Sequence, residues 1–268
     1  MKHNLMLGDC LELMKDMPDG SVDLTVTSPP YFNAREYSQY ETYQLYLDFL
    51  ESVFDLVMKK TKDGRMVAVN LSVIIEPRES RNKESKRYPI PFHFVNIMEK
   101  IGWKFIEDII WIKPEGAVAN RNGGFYRHRK PIAYKPNTVN EYILVFQKPC
   151  EFLIDKIIKD CDEGSLVKGD YQRTNVWYMQ PENKLSKLHS APYPKELASN
   201  LIKYYSLIGD IVLDCFMGSG TTGAMAIETG RHFIGIELDQ NYFEIAKKRI
   251  ALAGIEKDCQ PDLFGGAA

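Results

Sequence analysis

The pattern of hydrophobic and polar positions predicts strands that alternate with helices along most of the chain. Short apolar, β-branched runs predict buried strands, and apolar residues at helical spacing predict amphipathic helices. Strands are predicted at 21–28, 64–72, 105–113, 141–148, 210–216 and 232–238. Helices are predicted at 41–60, 90–101, 194–208, 220–230 and 240–253. Such alternation favours an α/β fold with a mostly parallel, twisted sheet covered by helices on both faces.

Polar segments interrupt this pattern, and they are rich in Lys, Arg, Asn and Tyr. They are 76–89, 114–140 and 150–188. Long loops inside a compact domain are usually functional or disordered. We expect a single domain over 1–255, made of a half at 1–149, the last insertion and a half at 189–255, followed by a flexible tail at 256–268.

Length and composition are those of an ordinary globular protein. The 268 residues are 44% hydrophobic and 26% charged, with a formal net charge of −2. No apolar run approaches the roughly 20 residues that span a bilayer. The five cysteines, at 10, 150, 161, 215 and 259, show neither paired nor metal-ligand spacing. We therefore expect a cytoplasmic protein without a metal site or a membrane contact.

A strand, an acid and a glycine turn precede a helix in "VLDCFMGSGTTG". Asp214 ends the predicted strand, and Gly218 and Gly220 allow a tight turn and close approach of a ligand to the backbone. Thr221 and Thr222 offer hydroxyls where the helix begins. Asp214 and the helix N-terminus are therefore expected to meet the polar groups of a ligand.

The end of the next predicted strand carries a second acid, Glu237. In dinucleotide-binding folds an acid in this position bonds ribose hydroxyls. No lysine follows the glycines, which excludes a Walker A phosphate loop. The pattern favours a nucleoside-containing ligand, and the alternative is an ordinary strand-to-helix turn whose glycines serve packing.

Two adjacent prolines end the first predicted strand in "TSPPY", residues 27–31. Pro29 and Pro30 lack backbone donors, so the carbonyls around them remain available as acceptors, as does the hydroxyl of Ser28. Tyr31 adds a ring that can stack on a planar group. This set favours a flat ligand whose amino group donates two hydrogen bonds, such as cytosine or adenine. The alternative is a rigid strand-to-loop turn.

Together, "TSPPY" and "DCFMGSGTTG" resemble motifs of the S-adenosylmethionine-dependent amino-group DNA methyltransferases. The segments "GDCLELM" (8–14), "IIWIKP" (109–114) and "EYILVFQKP" (141–149) resemble further parts of that family, and 189–239 is similar to its cofactor half. The catalytic motif precedes the cofactor motif, an order that resembles the permuted β class. The resemblance implies a Rossmann-like class I methyltransferase fold with target-recognition insertions.

The resemblance also implies roles for individual residues. The catalytic motif is Ser28, Pro29, Pro30 and Tyr31. Tyr31 would stack on a target base flipped out of the duplex, while Ser28 and the carbonyl between the prolines would accept the hydrogens of its amine. No cysteine nucleophile is required. The implied cofactor-binding residues are Asp9, Cys10, Ser28, Pro194, Asp214, Phe216, Gly218, Gly220, Thr221, Thr222, Glu237 and Leu238.

The residue before Pro-Pro-Tyr bears on the target base. In the family, Ser at this position is associated with N4-cytosine and Asp with N6-adenine, so Ser28 favours cytosine, with adenine as the alternative. Related Asn-Pro-Pro-Tyr enzymes methylate protein glutamine, but their cofactor motif comes first. A nucleic-acid-binding domain without activity is a third interpretation, against which the intact motifs in both halves argue.

Double-stranded DNA is the expected partner, and 113–135 is the most basic of the polar stretches. Arg and Asn read base edges, and Lys and Arg neutralise phosphates. The candidate DNA-binding residues are Arg121, Asn122, Arg127, Arg129, Lys130 and Lys135. The alternative is a solvated loop, and 78–87 and 150–188 are further candidate DNA contacts.

Other partners follow from the resemblance. A cognate restriction endonuclease of a restriction–modification system and a second copy of the chain are possible partners, in the cytoplasm of a bacterium, an archaeon or a phage-infected cell. Gln260–Phe264 resembles the short peptides that bind the bacterial sliding clamp, although Pro261 replaces the usual leucine. The alternative is a tail whose Leu263 and Phe264 fold back onto the core.

Overall fold

The computed structural model of the protein describes residues 2–33, 39–76, 80, 82–152, 158, 161–182 and 193–259. Its strands are β1 (His3–Leu7), β2 (Val22–Thr27), β3 (Thr61–Leu71), β4 (Ile74–Glu76), β5 (Lys86–Tyr88), β6 (Lys104–Ile112), β7 (Asn140–Gln147), β8 (Val176–Tyr178), β9 (Ile211–Asp214) and β10 (His232–Glu237). Its helices are α1 (Cys10–Leu13), α2 (Tyr43–Lys60), α3 (Ile90–Ile101), α4 (Gly123–His128), α5 (Lys195–Tyr205), α6 (Thr221–Glu228) and α7 (Gln240–Cys259).

Eight strands form one sheet, in the order β1-β10-β9-β2-β3-β7-β6-β8. The run from β1 to β3 is parallel throughout. β7 is antiparallel to both of its neighbours, β3 and β6, and β8 is parallel to β6. The prediction of a mostly parallel sheet is confirmed.

Helices cover both faces because side chains alternate along the central strands. In β3, Val67 and Val69 pack with α2 and α3 on one face, while Ala68 between them packs toward α5, α6 and α7 on the other. Helix α2 is amphipathic, with an apolar face that packs on the sheet. Leu50 and Phe54 lie on this face and are fully buried. Two cores therefore enclose the sheet.

The predicted elements are all present, with ends that differ by a few residues. Helix α2 begins at Tyr43, not at 41, because the Thr42 hydroxyl caps it by accepting from the Leu45 amide at 3.2 Å. Helix α7 continues to Cys259 and so enters the segment predicted as a flexible tail. No proline interrupts it before Pro261. The tail motif Gln260–Phe264 lies outside the described residues.

Two of the polar insertions contain strands that the sequence analysis missed. Within 76–89, β5 pairs with β4, and the ring of Tyr88 lies 4.7 Å from that of Phe32. Within 150–188, β8 extends the main sheet beside β6, and Trp177 is buried there. Strands this short carry too few residues for a periodic signal. None of the helices in the described part of the chain has the length and apolar character to cross a membrane.

The sheet order brings the two sequence motifs together. β2 and β9 are parallel neighbours, with Leu24 opposite Val212 and Thr25 opposite Leu213. The carboxyl ends of parallel strands meet at one edge, which is where open α/β sheets bind ligands. The "TSPPY" motif follows β2 and the glycine turn follows β9, so both lie at this edge.

A substitution in the glycine turn can show how closely this turn packs against helix α7. Gly220 has φ +79°, and a Cβ there would lie 2.9 Å from the Ala246 Cβ and 3.0 Å from its Cα. We expect Gly220→Ala to lower the free energy of unfolding by about 1–3 kcal/mol through backbone strain and by about 1–3 kcal/mol more through crowding. Urea unfolding measures the loss.

Gly209 provides the matched control, because its φ is +84° and a Cβ there would have nothing within 4 Å. Gly209→Ala should therefore show the strain alone and remain the more stable variant. Equal losses in the two variants would contradict a close contact between the glycine turn and α7.

Candidate active site

The residues of "TSPPY" are held by neighbouring strands on both sides. The Thr27 hydroxyl, at the end of β2, donates to Asp214 Oδ1 at 2.6 Å. The Ser28 hydroxyl donates to the backbone carbonyl of Asn70 in β3, at 3.2 Å. A hydroxyl that donates to the protein keeps its oxygen lone pairs for an incoming donor. The arrangement is therefore compatible with Ser28 as an acceptor.

Tyr31 is half-buried and bonded through its hydroxyl, which the sequence analysis did not anticipate. The hydroxyl donates to Glu141 Oε2 at 2.9 Å and accepts from Asn70 Nδ2 at 3.2 Å. Asn70 Nδ2 also donates to Glu141 Oε2 at 2.6 Å, and Lys113 pairs with Glu141 Oε1. Burial and, second, the charge of Glu141 raise the pKa of Tyr31 well above its usual value. The phenol therefore stays protonated and donates.

No spacing in the sequence links these partners of Tyr31. Asn70 lies near the end of β3, Lys113 directly follows β6, and Glu141 is the second residue of β7. Their positions become adjacent only because β3, β7 and β6 are neighbours in the sheet. Lys113 was expected to add positive charge to the DNA-binding stretch, and the structure instead places its ammonium group on Glu141.

Asp214 lies beneath the glycine turn and not at its surface. It is 1% exposed and accepts hydrogen bonds from the hydroxyls of Thr27 and Thr222 and from the amide of Phe216. The Tyr193 hydroxyl approaches it at 3.4 Å. Burial raises the pKa of Asp214, and these hydrogen bonds oppose the rise. Protein groups thus contact both oxygens of Asp214, and the expected contact of Asp214 with a ligand stays a prediction.

The hydroxyls of the glycine turn are also directed into the protein. Thr222 bonds Asp214 at 2.7 Å, and Thr221 accepts from Arg249 Nη1 at 2.9 Å. Arg249, on α7, further contacts Ser219 and Glu182. Both hydroxyls thus have partners within the protein, and their predicted contact with a ligand stays a prediction. Tyr193 and Arg249 were missed, since no motif in the sequence separates them from ordinary helix and loop residues.

Glu237 joins the glycine turn to the neighbouring strand end. Its carboxylate accepts from the Gly218 amide at 2.7 Å and from the Asp239 amide at 2.8 Å. Burial raises its pKa. A carboxylate offers about four lone-pair sites, so acceptor capacity remains for ligand hydroxyls. Leu238 follows with 66% of its surface exposed.

Asp9 and Cys10 lie at the end of β1, beside the end of β10. The Gly8 amide donates to the Glu237 carbonyl at 2.9 Å, which fixes the two strand ends together. Asp9 caps α1 by accepting from the Leu11 amide at 2.7 Å. Pro194 is the cap residue that precedes α5. The predicted cofactor residues thus gather around the ends of β1, β10 and β9, with Phe216 beside the glycine turn and Pro194 on the side of Tyr193.

The predicted DNA-binding residues lie on the loop between β6 and β7. Arg127, Arg129, Lys130 and Lys135 are exposed, whereas Arg121 and Asn122 are partly buried. Burial, followed by the nearby positive charge of Arg87 in β5, lowers the pKa of Arg121. Residues from two of the predicted insertions therefore contribute to one basic surface. Tyr126, Ile132 and Tyr134 expose apolar surface among these cations.

Comparison with known proteins identifies the family. The model of the DNA methylase family, the N6/N4 methyltransferases, matches residues 22–248. The chain belongs to this family. This match confirms the family predicted from the two motifs. It also confirms the prediction that the protein is a DNA methyltransferase of the amino-group class.

Individual relatives are similar over nearly the whole chain. M.ScaI, a type II methyltransferase of Streptomyces caespitosus, is 29% identical over 91% of this chain and 79% of its own. The type II beta methyltransferase M.BslI of a Bacillus strain is 28% identical over 94% of this chain, which spans only 28% of that longer protein. TTHA0409 of Thermus thermophilus, a candidate DNA modification methylase solved with S-adenosyl-L-methionine, superimposes with a TM-score of 0.76 at 29% identity over 94% of both chains.

The two buried cysteines near the glycine turn allow a direct check of this site. Burial, with the nearby charge of Asp9, raises the pKa of Cys10 to about 12, and burial raises that of Cys215 well above its usual value. Because the thiolate is the reactive form, iodoacetamide at about pH 8 should spare Cys10 and Cys215 in the native protein.

Cys150 and Cys161 are the internal controls, since both are partly exposed. They should be alkylated in the native protein, and mass spectrometry of the digested protein measures each site. Unfolding in urea should remove the difference. Native Cys10 that reacts as fast as Cys150 would show that the end of β1 is open.

Proposed function

We propose that the protein transfers a methyl group from S-adenosyl-L-methionine to the exocyclic N4 amine of cytosine in duplex DNA, after the base has been flipped from the helix. The observation that carries the proposal is the position of the two motifs. "TSPPY" and the glycine turn lie at the ends of adjacent parallel strands and are joined by the bond from Thr27 to Asp214.

The residues around the glycine turn fit the cofactor. The positive φ of Gly218 and Gly220 and the adjacent start of α6 present backbone to a ligand. Glu237 retains acceptor capacity for ribose hydroxyls, and the exposed Leu238 offers an apolar surface for a base. When bound, S-adenosyl-L-methionine would supply an electrophilic methyl group: its sulfur would keep the electron pair of the broken S–C bond and leave as a neutral thioether, and the methylated amine would release one proton to solvent.

The catalytic motif supplies acceptors and a stacking surface. Ser28 keeps its lone pairs free for an amine hydrogen, and the carbonyl between Pro29 and Pro30 accepts the second. Holding both hydrogens directs the nitrogen lone pair along the transfer direction. The ring of Tyr31 provides the face for the base. The residues therefore act by positioning and electrostatics, without a covalent intermediate.

Ser28 is the basis for cytosine, and adenine is the alternative because its amine presents the same two hydrogens. The family match favours DNA over protein glutamine. The basic surface formed by β5 and the loop from 114 to 139 emerges at the same edge of the sheet as Tyr31, which suits target recognition by this insertion. The cognate endonuclease, the second copy of the chain and the sliding-clamp contact stay predictions.

Transfer of radiolabel from S-adenosyl-L-methionine to mixed-sequence DNA tests the proposed activity. We expect labelled DNA, with N4-methylcytosine in its digest. Tyr31→Ala is the control variant: it removes a stacking surface worth about 1–3 kcal/mol per base, so it should lower turnover while cofactor affinity stays near that of the wild type. N6-methyladenine would refute only the choice of base, and label in protein but not in DNA would refute the DNA reaction.

The salt dependence of binding tests the basic loop. Each phosphate contact contributes about 0.9 to the slope of log K against log salt. Among the contacts described, Arg127 and Arg129 bond carbonyls of their own loop, and Arg129 also lies 5.6 Å from the Tyr126 ring. Lys130 is exposed. Changing these three residues to Gln should therefore flatten the slope by about 2–3.

A second triple variant controls for net charge. Lys15, Lys59 and Lys100 are exposed, form surface ion pairs and lie outside the basic loop. Their change to Gln removes the same charge and should leave the slope near that of the wild type. If both triple variants flatten the slope equally, the loop is not the DNA-binding surface.

A further inference from the structure

Glu141 lies at the centre of a buried polar cluster that includes Tyr31. Glu141 is 9% exposed, and both of its carboxylate oxygens are occupied. Oε2 accepts from the Tyr31 hydroxyl at 2.9 Å and from Asn70 Nδ2 at 2.6 Å, and Oε1 pairs with Lys113. A buried carboxylate is costly unless it is paired and hydrogen-bonded. These three donors meet that requirement, so the position of the carboxylate is well determined.

The same ion pair closes the base of the basic loop at residues 114–139. Lys113 directly precedes the loop, and Glu141 lies in β7, which follows it. The Lys113 amide donates to the Val139 carbonyl at 2.7 Å, which brings the two ends of the loop together. The loop that carries the predicted DNA contacts is thus attached to the residues that hold the Tyr31 hydroxyl.

The buried indole of Trp111 contacts the ion pair between Lys113 and Glu141. The Lys113 ammonium lies 4.7 Å from the centre of the Trp111 ring, and Trp111 lies opposite Glu141 in the strand pairing. The Trp111 Nε1 donates to the Met179 carbonyl at 2.9 Å. The ammonium is therefore held between an aromatic face and a carboxylate, a setting that restricts its movement.

We propose that Glu141 is a positioning residue that fixes the plane of the Tyr31 ring against the target base, and that Lys113 connects this orientation to the DNA-binding loop. The inference rests on the proposed function. A phenyl ring anchored only at its Cβ can tilt, whereas a ring that is also bonded at its hydroxyl is held at both ends. Reaction rates are sensitive to such alignment, since misplacement by about 1 Å can lower them a hundredfold.

The hydroxyl of Tyr31 and the carboxylate of Glu141 should therefore act as one unit. Tyr31→Phe keeps the stacking face and removes the hydroxyl, and Glu141→Gln keeps the size and removes the charge. Each change should lower kcat about ten- to a hundredfold, with the KM for DNA and the cofactor Kd near wild-type values. Because the two changes break the same interaction, the double variant should be no slower than the slower single variant.

Lys148 provides a matched control for Lys113. Both side chains are 21% exposed and ion-paired, with Glu141 and Asp63 respectively, and they lie at opposite ends of β7. Lys113→Met should lower kcat severalfold at constant cofactor Kd. Lys148→Met removes an ion pair with the more exposed Asp63, far from the catalytic edge, and should leave kcat near the wild-type value.

Three measurements on these variants test the inference: steady-state kinetics for kcat and KM, titration for the cofactor Kd, and thermal unfolding for stability. Independent, multiplicative losses in the double variant would overturn the inference, as would losses of kcat accompanied by equal losses of cofactor affinity. Tyr31→Phe alone suffices if Glu141→Gln fails to fold, because wild-type kcat in that variant overturns the inference. A wild-type protein that methylates no DNA would refute the proposed function and this inference together, whereas active wild-type protein with unaffected variants would refute this inference alone.

Discussion

The hydrogen bond between Thr27 and Asp214 is the interaction on which the arrangement of the site depends. It joins the ends of two parallel strands whose residues are separated by most of the chain. A carboxylate that is 1% exposed must be satisfied by donors, and Thr27, Thr222 and the Phe216 amide supply them. The need to satisfy one buried acid therefore fixes the catalytic motif and the glycine turn relative to each other.

A second buried acid, Glu141, organises the other side of the catalytic motif in the same way. It accepts from the hydroxyl of Tyr31 and the side-chain amide of Asn70 and pairs with the ammonium of Lys113, which come from three separate segments. Both oxygens of each acid are contacted by donors of the protein itself. Acceptor capacity remains at the Ser28 oxygen and at the carboxylate of Glu237, two of the proposed ligand-binding groups.

Most of the fold could be predicted because its strands and helices are long enough to carry a periodic pattern. The elements that were missed, such as β5 and β8, are short or lie in charged sequence. Their role becomes visible only through contacts in the folded protein, namely the contact of Tyr88 with Phe32 and the burial of Trp177. The Thr221 and Thr222 hydroxyls lie at the start of α6 as predicted. Their bonds to Arg249 and Asp214 could not be predicted, because sequence shows where a hydroxyl lies along the chain and not which way it points.

By itself, the sequence determined the class of fold, the family and the two motifs at which chemistry is expected, because each depends on residues close together in the chain. Only the tertiary structure decided that Asp214 supports the site from beneath, that Lys113 pairs with Glu141, and that Tyr31 is bonded at its hydroxyl. These contacts join strands that are neighbours in the sheet but distant in sequence. Their pairing results from sheet order and burial, and no local pattern of residues records either.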